Sequence, residues 1–145
     1  MNDVKDTKDK AAPRFCLHCG DGTRLAYGAK DLTATSGTLS KVVPSVLGWH
    51  CPVCADVEFA DGHGQRYAQA VGELRTLADQ QRGEQVRATR KRLGLRQAEA
   101  GQLFGGGVSA FSEYERGKTQ PHKSTLLLLK LLDKHPELLA ELGAG

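Results

Sequence analysis

Apolar positions along the chain follow two rhythms. Between residues 23 and 49, Leu32, Thr33, Thr35, Thr38, Leu39, Val42 and Val43 mark a β-rich stretch, with turn signals at Ser36-Gly37 and Gly48. This stretch predicts about three short antiparallel strands. Pro44 cannot donate to a ladder and is expected at an edge or strand end. From Glu58 to Gln81 the spacing turns helical, with Phe59, Tyr67, Val71, Leu74 and Leu77-Ala78 on one face. Gln80-Gln81-Arg82-Gly83, polar with a glycine, reads as a hinge between two lobes, with one continuous or kinked helix as the alternative.

A basic helix follows over Glu84 to Leu93, with Val86 and Leu93 as its buried side and Gly94 as its stop. Its Arg87, Arg90, Lys91 and Arg92 suit a solvated face or contacts to a phosphate backbone. Leu95 to Phe104 reads LRQAEAGQLF, with Ala98, Leu103 and Phe104 as core candidates. Gly105 to Gly117 then reads GGGVSAFSEYERG. Three glycines predict a tight turn, and Val108, Phe111 and Tyr114, three apart, predict a short helix that Gly117 ends. Two short helices joined by a glycine-bearing turn predict a helix-turn-helix whose second helix enters a DNA groove. Beyond Pro121, Ser124 is placed to cap a leucine helix running through Leu132, apolar enough to pack on two sides. Pro136 opens a last short helix with Leu138, Leu139 and Leu142.

The chemistry is concentrated in four cysteines. Cys16 and Cys19 form one C-x2-C knuckle, and Cys51 and Cys54 form a second, with 31 residues between Cys19 and Cys51. Four thiolates satisfy a tetrahedral zinc ion with no open position, which describes a structural site. The same set suits an iron–sulfur cluster; zinc is preferred because no apolar shell or electron-transfer partner is evident. A redox pair would need only one knuckle and a thioredoxin-like context. His18 and His50 are read as polar neighbours rather than ligands, and Trp49 is expected to pack on the knuckle. With little apolar surface of its own, this lobe is expected to depend on the metal.

The chain has 145 residues and a net charge of +3. Residues 1–81 carry 9 Lys/Arg against 10 Asp/Glu, net −1, and residues 82–145 carry 11 against 7, net +4. The positive surplus therefore lies with the predicted helix-turn-helix, as DNA binding requires. The expected organisation is a disordered lead over 1–14, a zinc-binding domain over 15–81 and an all-α DNA-binding and dimerisation domain over 82–145. The fold class is α+β: a small zinc-stapled antiparallel β/α domain followed by a five-helix domain. The first ten residues, MNDVKDTKDK, have no apolar core of a signal peptide, and no run is long enough to span a membrane, so a cytoplasmic location is expected. No H-E-x-x-H, nucleophile–base pairing or phosphate-binding Gly-rich loop occurs, so the chain is read as a binding protein rather than an enzyme.

Several segments carry a family resemblance. Leu95-Arg96-Gln97-Ala98-Glu99-Ala100 and Tyr114-Glu115-Arg116-Gly117-Lys118, followed by Pro121, resemble the HTH-XRE class of Cro and phage repressors. Phe104 to Thr125, Leu131 to Leu142 and the order of knuckles before helix-turn-helix look like the MqsA-type antitoxins. That resemblance implies a zinc lobe that neutralises an mRNA-cleaving toxin. It also implies a carboxy-terminal homodimer that binds a palindrome in its own promoter and represses transcription. In such a helix-turn-helix Gln97 is expected at a phosphate, Ser109, Ala110, Ser112 and Glu113 in the major groove, and Arg96, Arg116, Lys118 and Lys123 on phosphates. The family pattern has asparagine and arginine reading bases where this chain has Ser109 and Glu113, so a different operator sequence is expected. The alternative is a stand-alone zinc-containing regulator without a toxin.

Overall fold

The structure, a computed structural model, describes residues 12–143. Most of the expected polar lead lies outside those residues. Its last member, Arg14, stacks on the Trp49 ring at 3.7 Å and pairs with Glu58. The chain divides into two compact units, Met1–Leu74 and Arg75–Gly145.

The first unit is built on a three-stranded antiparallel sheet, β1 (Ala26–Ser36), β2 (Leu39–His50) and β3 (Val57–Phe59), in that order. The region between the knuckles thus makes one long hairpin, not three short strands, and the third strand comes after the second knuckle. Gly37, at φ 61°, makes the tight turn anticipated at Ser36-Gly37. Pro44 lies inside β2 rather than at its end. The register slips there, because Pro44 and Ser45 together face Asp31 between the pairs Lys30–Val46 and Leu32–Val43. A β-bulge absorbs the missing donor. Ser45 takes a left-handed φ of 50°, and its N–H donates to the Asp31 carboxylate at 2.9 Å.

Helix α1 (His63–Arg92) follows. It starts later than the helical spacing from Glu58 suggested, because Val57–Phe59 pairs with β2 and Gly62, at φ 79°, turns the chain. Ala70 and Leu74, with Tyr67 and Val71, pack with Ala34, Val43 and Val46 to form the core of the first unit.

Helix α1 continues through Gln80–Gly83 without a break. Gly83 is there for close approach: a Cβ on it would stand 2.8 Å from the carbonyl oxygens of Tyr114 and Glu115. The rest of the second unit comprises α2 (Gln97–Phe104), α3 (Ala110–Glu115), α4 (Lys123–Lys134), a 3-10 turn (Pro136–Leu138) and α5 (Leu139–Gly143). Val86, Ala100, Phe111 and Leu129 form its core, with Leu93, Leu95, Phe104, Tyr114 and Leu126 around them. Ala98, one of the expected core positions, is exposed, and its helix turns Ala100 inward instead.

Both glycine stops work as expected. Gly94, at φ 72°, donates to Lys91 while Leu95 donates to Arg90, and Gly117, at φ 71°, donates to Tyr114 while Lys118 donates to Glu113. Each set is a Schellman closure that satisfies the last carbonyls of a helix. Helix α4 begins two residues earlier than a cap at Ser124 implied, with His122 at the cap. It buries Leu129 and Leu132 and leaves Leu127 and Leu131 exposed.

Candidate metal centre and nucleic-acid interface

The hairpin β1–β2 brings the two knuckles together. The four Sγ atoms of Cys16, Cys19, Cys51 and Cys54 all lie within 4.8 Å of one another. Cys16 and Cys54 are 3.5 Å apart and Cys19 and Cys51 3.8 Å, close to the edge of about 3.8 Å that a tetrahedron of zinc–sulfur bonds requires. All four cysteines are free of disulfides. Backbone donors organise the cup. Cys19 N–H points at Cys16 Sγ at 3.4 Å, and Val53 and Cys54 N–H at Cys51 Sγ at 3.4 and 3.5 Å. Each knuckle is followed by a left-handed residue, Gly20 at φ 65° and Ala55 at φ 62°.

The four thiols perturb one another. The Cys54 N–H, then the Val53 N–H, hold the Cys51 thiol down at about 7. The Cys54 thiol, burial and the neighbouring sulfurs push Cys19 up to about 12. Four crowded thiols cannot all ionise unless a positive charge sits among them. The donor set therefore fits a thiophilic, tetrahedral metal ion, for which Cys16, Cys19, Cys51 and Cys54 would be the ligands.

The neighbouring histidines have structural partners. His50 is buried, with Nε2 at 3.1 Å from the Gly28 and Val46 carbonyl oxygens. His63 Nδ1 accepts the Leu47 N–H at 3.2 Å. Trp49 packs against Tyr27, with centroids 4.8 Å apart, and Arg14 lies over its ring.

In the second unit α2 and α3 are joined by Gly105, Gly106 and Gly107, all at φ near 90°. Gly101 packs so tightly against this turn that a Cβ would overlap the Gly107 carbonyl oxygen. Helix α3 has two faces. Ala110, Phe111, Tyr114 and Glu115 turn inward, and Ser109, Ser112, Glu113 and Arg116 fall on the opposite side at i, i+3, i+4 and i+7. Of the expected groove residues, Ser109, Ser112 and Glu113 therefore share an outward face. Ala110 does not: it is 7% exposed because the helix starts there with its first inward position. For the same reason Val108, expected inside, precedes the helix and is 59% exposed.

The expected phosphate partners divide as well. Lys118 and Lys123 are exposed. Arg116 is exposed, with its Nε on the Ser112 carbonyl at 3.1 Å. Arg96 is exposed but paired with Glu99 at 2.8 Å, and the same carboxylate accepts the Arg96 N–H at 2.8 Å, closing the start of α2. Gln97 turns to Glu115, donating at 2.8 Å.

The Gln97 contact belongs to a network that sequence reasoning missed. Arg90 holds Glu115 through two hydrogen bonds, one from Nε to Oε1 and one from Nη2 to Oε2 at 3.1 Å, and donates Nη1 to the Leu95 carbonyl at 2.8 Å. Burial works against the Glu115 carboxylate, but the bonds from Arg90 and Gln97 outweigh it and hold its pKa below the usual range. The signal was present in the spacing: Arg90 lies between Val86 and Leu93 on the buried stripe of its helix.

Comparisons with known proteins agree with this layout. A family model described as the antitoxin component of a bacterial toxin-antitoxin system, MqsA, matches residues 14–143. The chain is 38% identical to Antitoxin MqsA of Escherichia coli strain K12 over 129 residues, 88% of this chain and 98% of that protein. Over 58 residues it is 43% identical to Repressor protein C2 of Salmonella phage P22, which covers 39% of this chain and 27% of the repressor. With the four-cysteine cup and the helix-turn-helix in one chain, the match over nearly its whole length shows that this protein belongs to the MqsA family of antitoxins.

Proposed function

We propose that this antitoxin neutralises an mRNA-cleaving toxin through its amino-terminal metal lobe and represses transcription by binding a palindromic operator through its helix-turn-helix. The observation that carries the reading is the outward α3 face of Ser109, Ser112, Glu113 and Arg116, in the one unit with a positive surplus, within a family match spanning 14–143. The ion in the four-sulfur cup is zinc in a structural role, because four thiolates leave no coordination position for a reaction. The proposed functional division is a metal lobe over 15–81 and a DNA-binding lobe over 82–145, whereas the compact units divide earlier along the chain, between Leu74 and Arg75. Two copies pair through the carboxy-terminal unit, where Leu127 and Leu131 leave apolar surface on α4. Their α3 helices would then read half-sites roughly 34 Å apart. Among the described residues no helix is long and apolar enough to cross a membrane.

Lys118 and Lys123 supply sequence-independent phosphate contact. Lys118→Ala is expected to weaken binding to operator and random duplexes alike and to flatten the salt dependence by about one charge. The test is a titration of zinc-loaded protein with promoter DNA from its own operon and with scrambled DNA at several salt concentrations. Equal affinity for both duplexes would refute the operator. The P22 repressor similarity, confined to 58 residues, favours a second reading in which the chain regulates transcription without a toxin. Co-purification with a small ribonuclease encoded beside it supports the first reading, and its absence the second.

A further inference from the structure

We propose that Glu113 sets operator specificity by accepting a hydrogen bond from a cytosine amino group in the major groove; this rests on the reading of α3 as the DNA-entering helix. Glu113 is the single acid on the outward face of α3, between Ser109 one turn before it and Arg116 after it. A carboxylate presented to a duplex is repelled by every phosphate it approaches. Among base edges in the major groove, the donors it can use are the amino groups, and the one paired with acidic side chains is cytosine N4. The surrounding charge tolerates the acid, because Arg116, Lys118 and Lys123 are exposed in the same segment.

The carboxylate is also oriented. The Thr119 hydroxyl donates to Glu113 Oε2 at 3.4 Å, and among the described residues no protein donor reaches Oε1, which is left to a base edge. Thr119 follows the Gly117 helix stop, in which the Lys118 N–H donates to the Glu113 carbonyl at 3.0 Å, so the hydroxyl is held near the carboxylate by the same closure. Glu113 thus acts in two ways: it rewards a C·G pair at one position of each half-site and penalises DNA that offers no amino donor there. The second effect predicts something unusual for a DNA-contacting residue, namely that removing it tightens binding to random DNA.

The test is selection from a randomised duplex library with the full zinc-loaded chain and its Glu113→Gln and Glu113→Ala variants, followed by titration of the selected and scrambled duplexes. Circular dichroism verifies that each variant is folded. The wild type should select C at one position per half-site, by about tenfold over other bases. Glu113→Ala should lose that preference and gain affinity for scrambled DNA. Glu113→Gln should move the preference toward A, the base a side-chain amide matches. A wild type that selects a motif which both variants share unchanged would overturn the assignment to Glu113. A wild type that selects no motif would instead overturn the DNA-reading function itself.

Discussion

Arg90 and Glu115 form a two-pronged ion pair inside the second unit, with side chains only 10% and 5% exposed. It joins the end of α1 to the end of α3, and Gln97 adds the start of α2 to the same carboxylate. The network fixes the angle at which α3 leaves the core. Removing one partner strands a buried charge, so Glu115→Ala should destabilise the second unit by about 3 kcal/mol, measured by urea denaturation. Glu115 has a lowered pKa in the fold. Its stabilisation is therefore complete above the unfolded value of about 4.3 and is lost as pH falls through the lower folded value. The variant should show a smaller loss of stability across that acidic range than the wild type. An identical acid profile for both would contradict the assignment.

Gly101 faces the carbonyl of Gly107, where a methyl group would overlap. Gly101→Ala should destabilise by about 1–3 kcal/mol, even though alanine favours a helix by about 1 kcal/mol. Gly72, on α1, has open space at its Cβ position. Gly72→Ala should stabilise by about 0.5–1 kcal/mol. Opposite shifts in denaturation midpoint are the expected pair of results, and a stabilising Gly101→Ala would show that the α2–α3 turn relaxes freely.

Ala55 holds a left-handed φ of 62° directly after Cys54, where the first knuckle has Gly20. Ala55→Gly should stabilise the metal lobe by about 1 kcal/mol by removing the Cβ penalty. Thermal melting of the metal-loaded protein checks this, and a lowered melting temperature would contradict it.

Metal removal separates the units. The core cluster of the first unit has five buried residues, of which Leu74 is the largest aliphatic. Chelation should expose four reactive thiols per chain and dissolve the β-sheet. The helices around Val86, Ala100, Phe111 and Leu129 should persist. Circular dichroism with thiol titration reads both, and retention of strand signal after complete metal loss would show a lobe that folds without its ion.

Features set by neighbours in the chain were legible in the sequence. The knuckles, the Ser36-Gly37 turn and the stops at Gly94 and Gly117 each depend on a few consecutive residues, and each is where it was expected. Features set by approach from a distant segment were not. Gly83 looked like a hinge because its contact is with Tyr114 and Glu115, some thirty positions on. Pro44 looked like a strand end because the bulge depends on Asp31 across the hairpin. Glu115 gave no sign of its buried role, because its two donors come from α1 and α2. Val108 shares a three-residue spacing with Phe111 and Tyr114, but the helix begins at Ala110 and never extends to it.

The central claim is that one chain silences a toxin with its metal lobe and reads an operator with the other. Its most direct measurement is RNA cleavage by the proposed toxin partner, sought as a small ribonuclease encoded beside this gene, titrated with the zinc-loaded antitoxin and with the Glu113→Ala variant. Both proteins should abolish cleavage at one antitoxin per toxin, while only the wild type retains selective binding to its promoter. Cleavage that continues undiminished at saturating antitoxin would contradict the account.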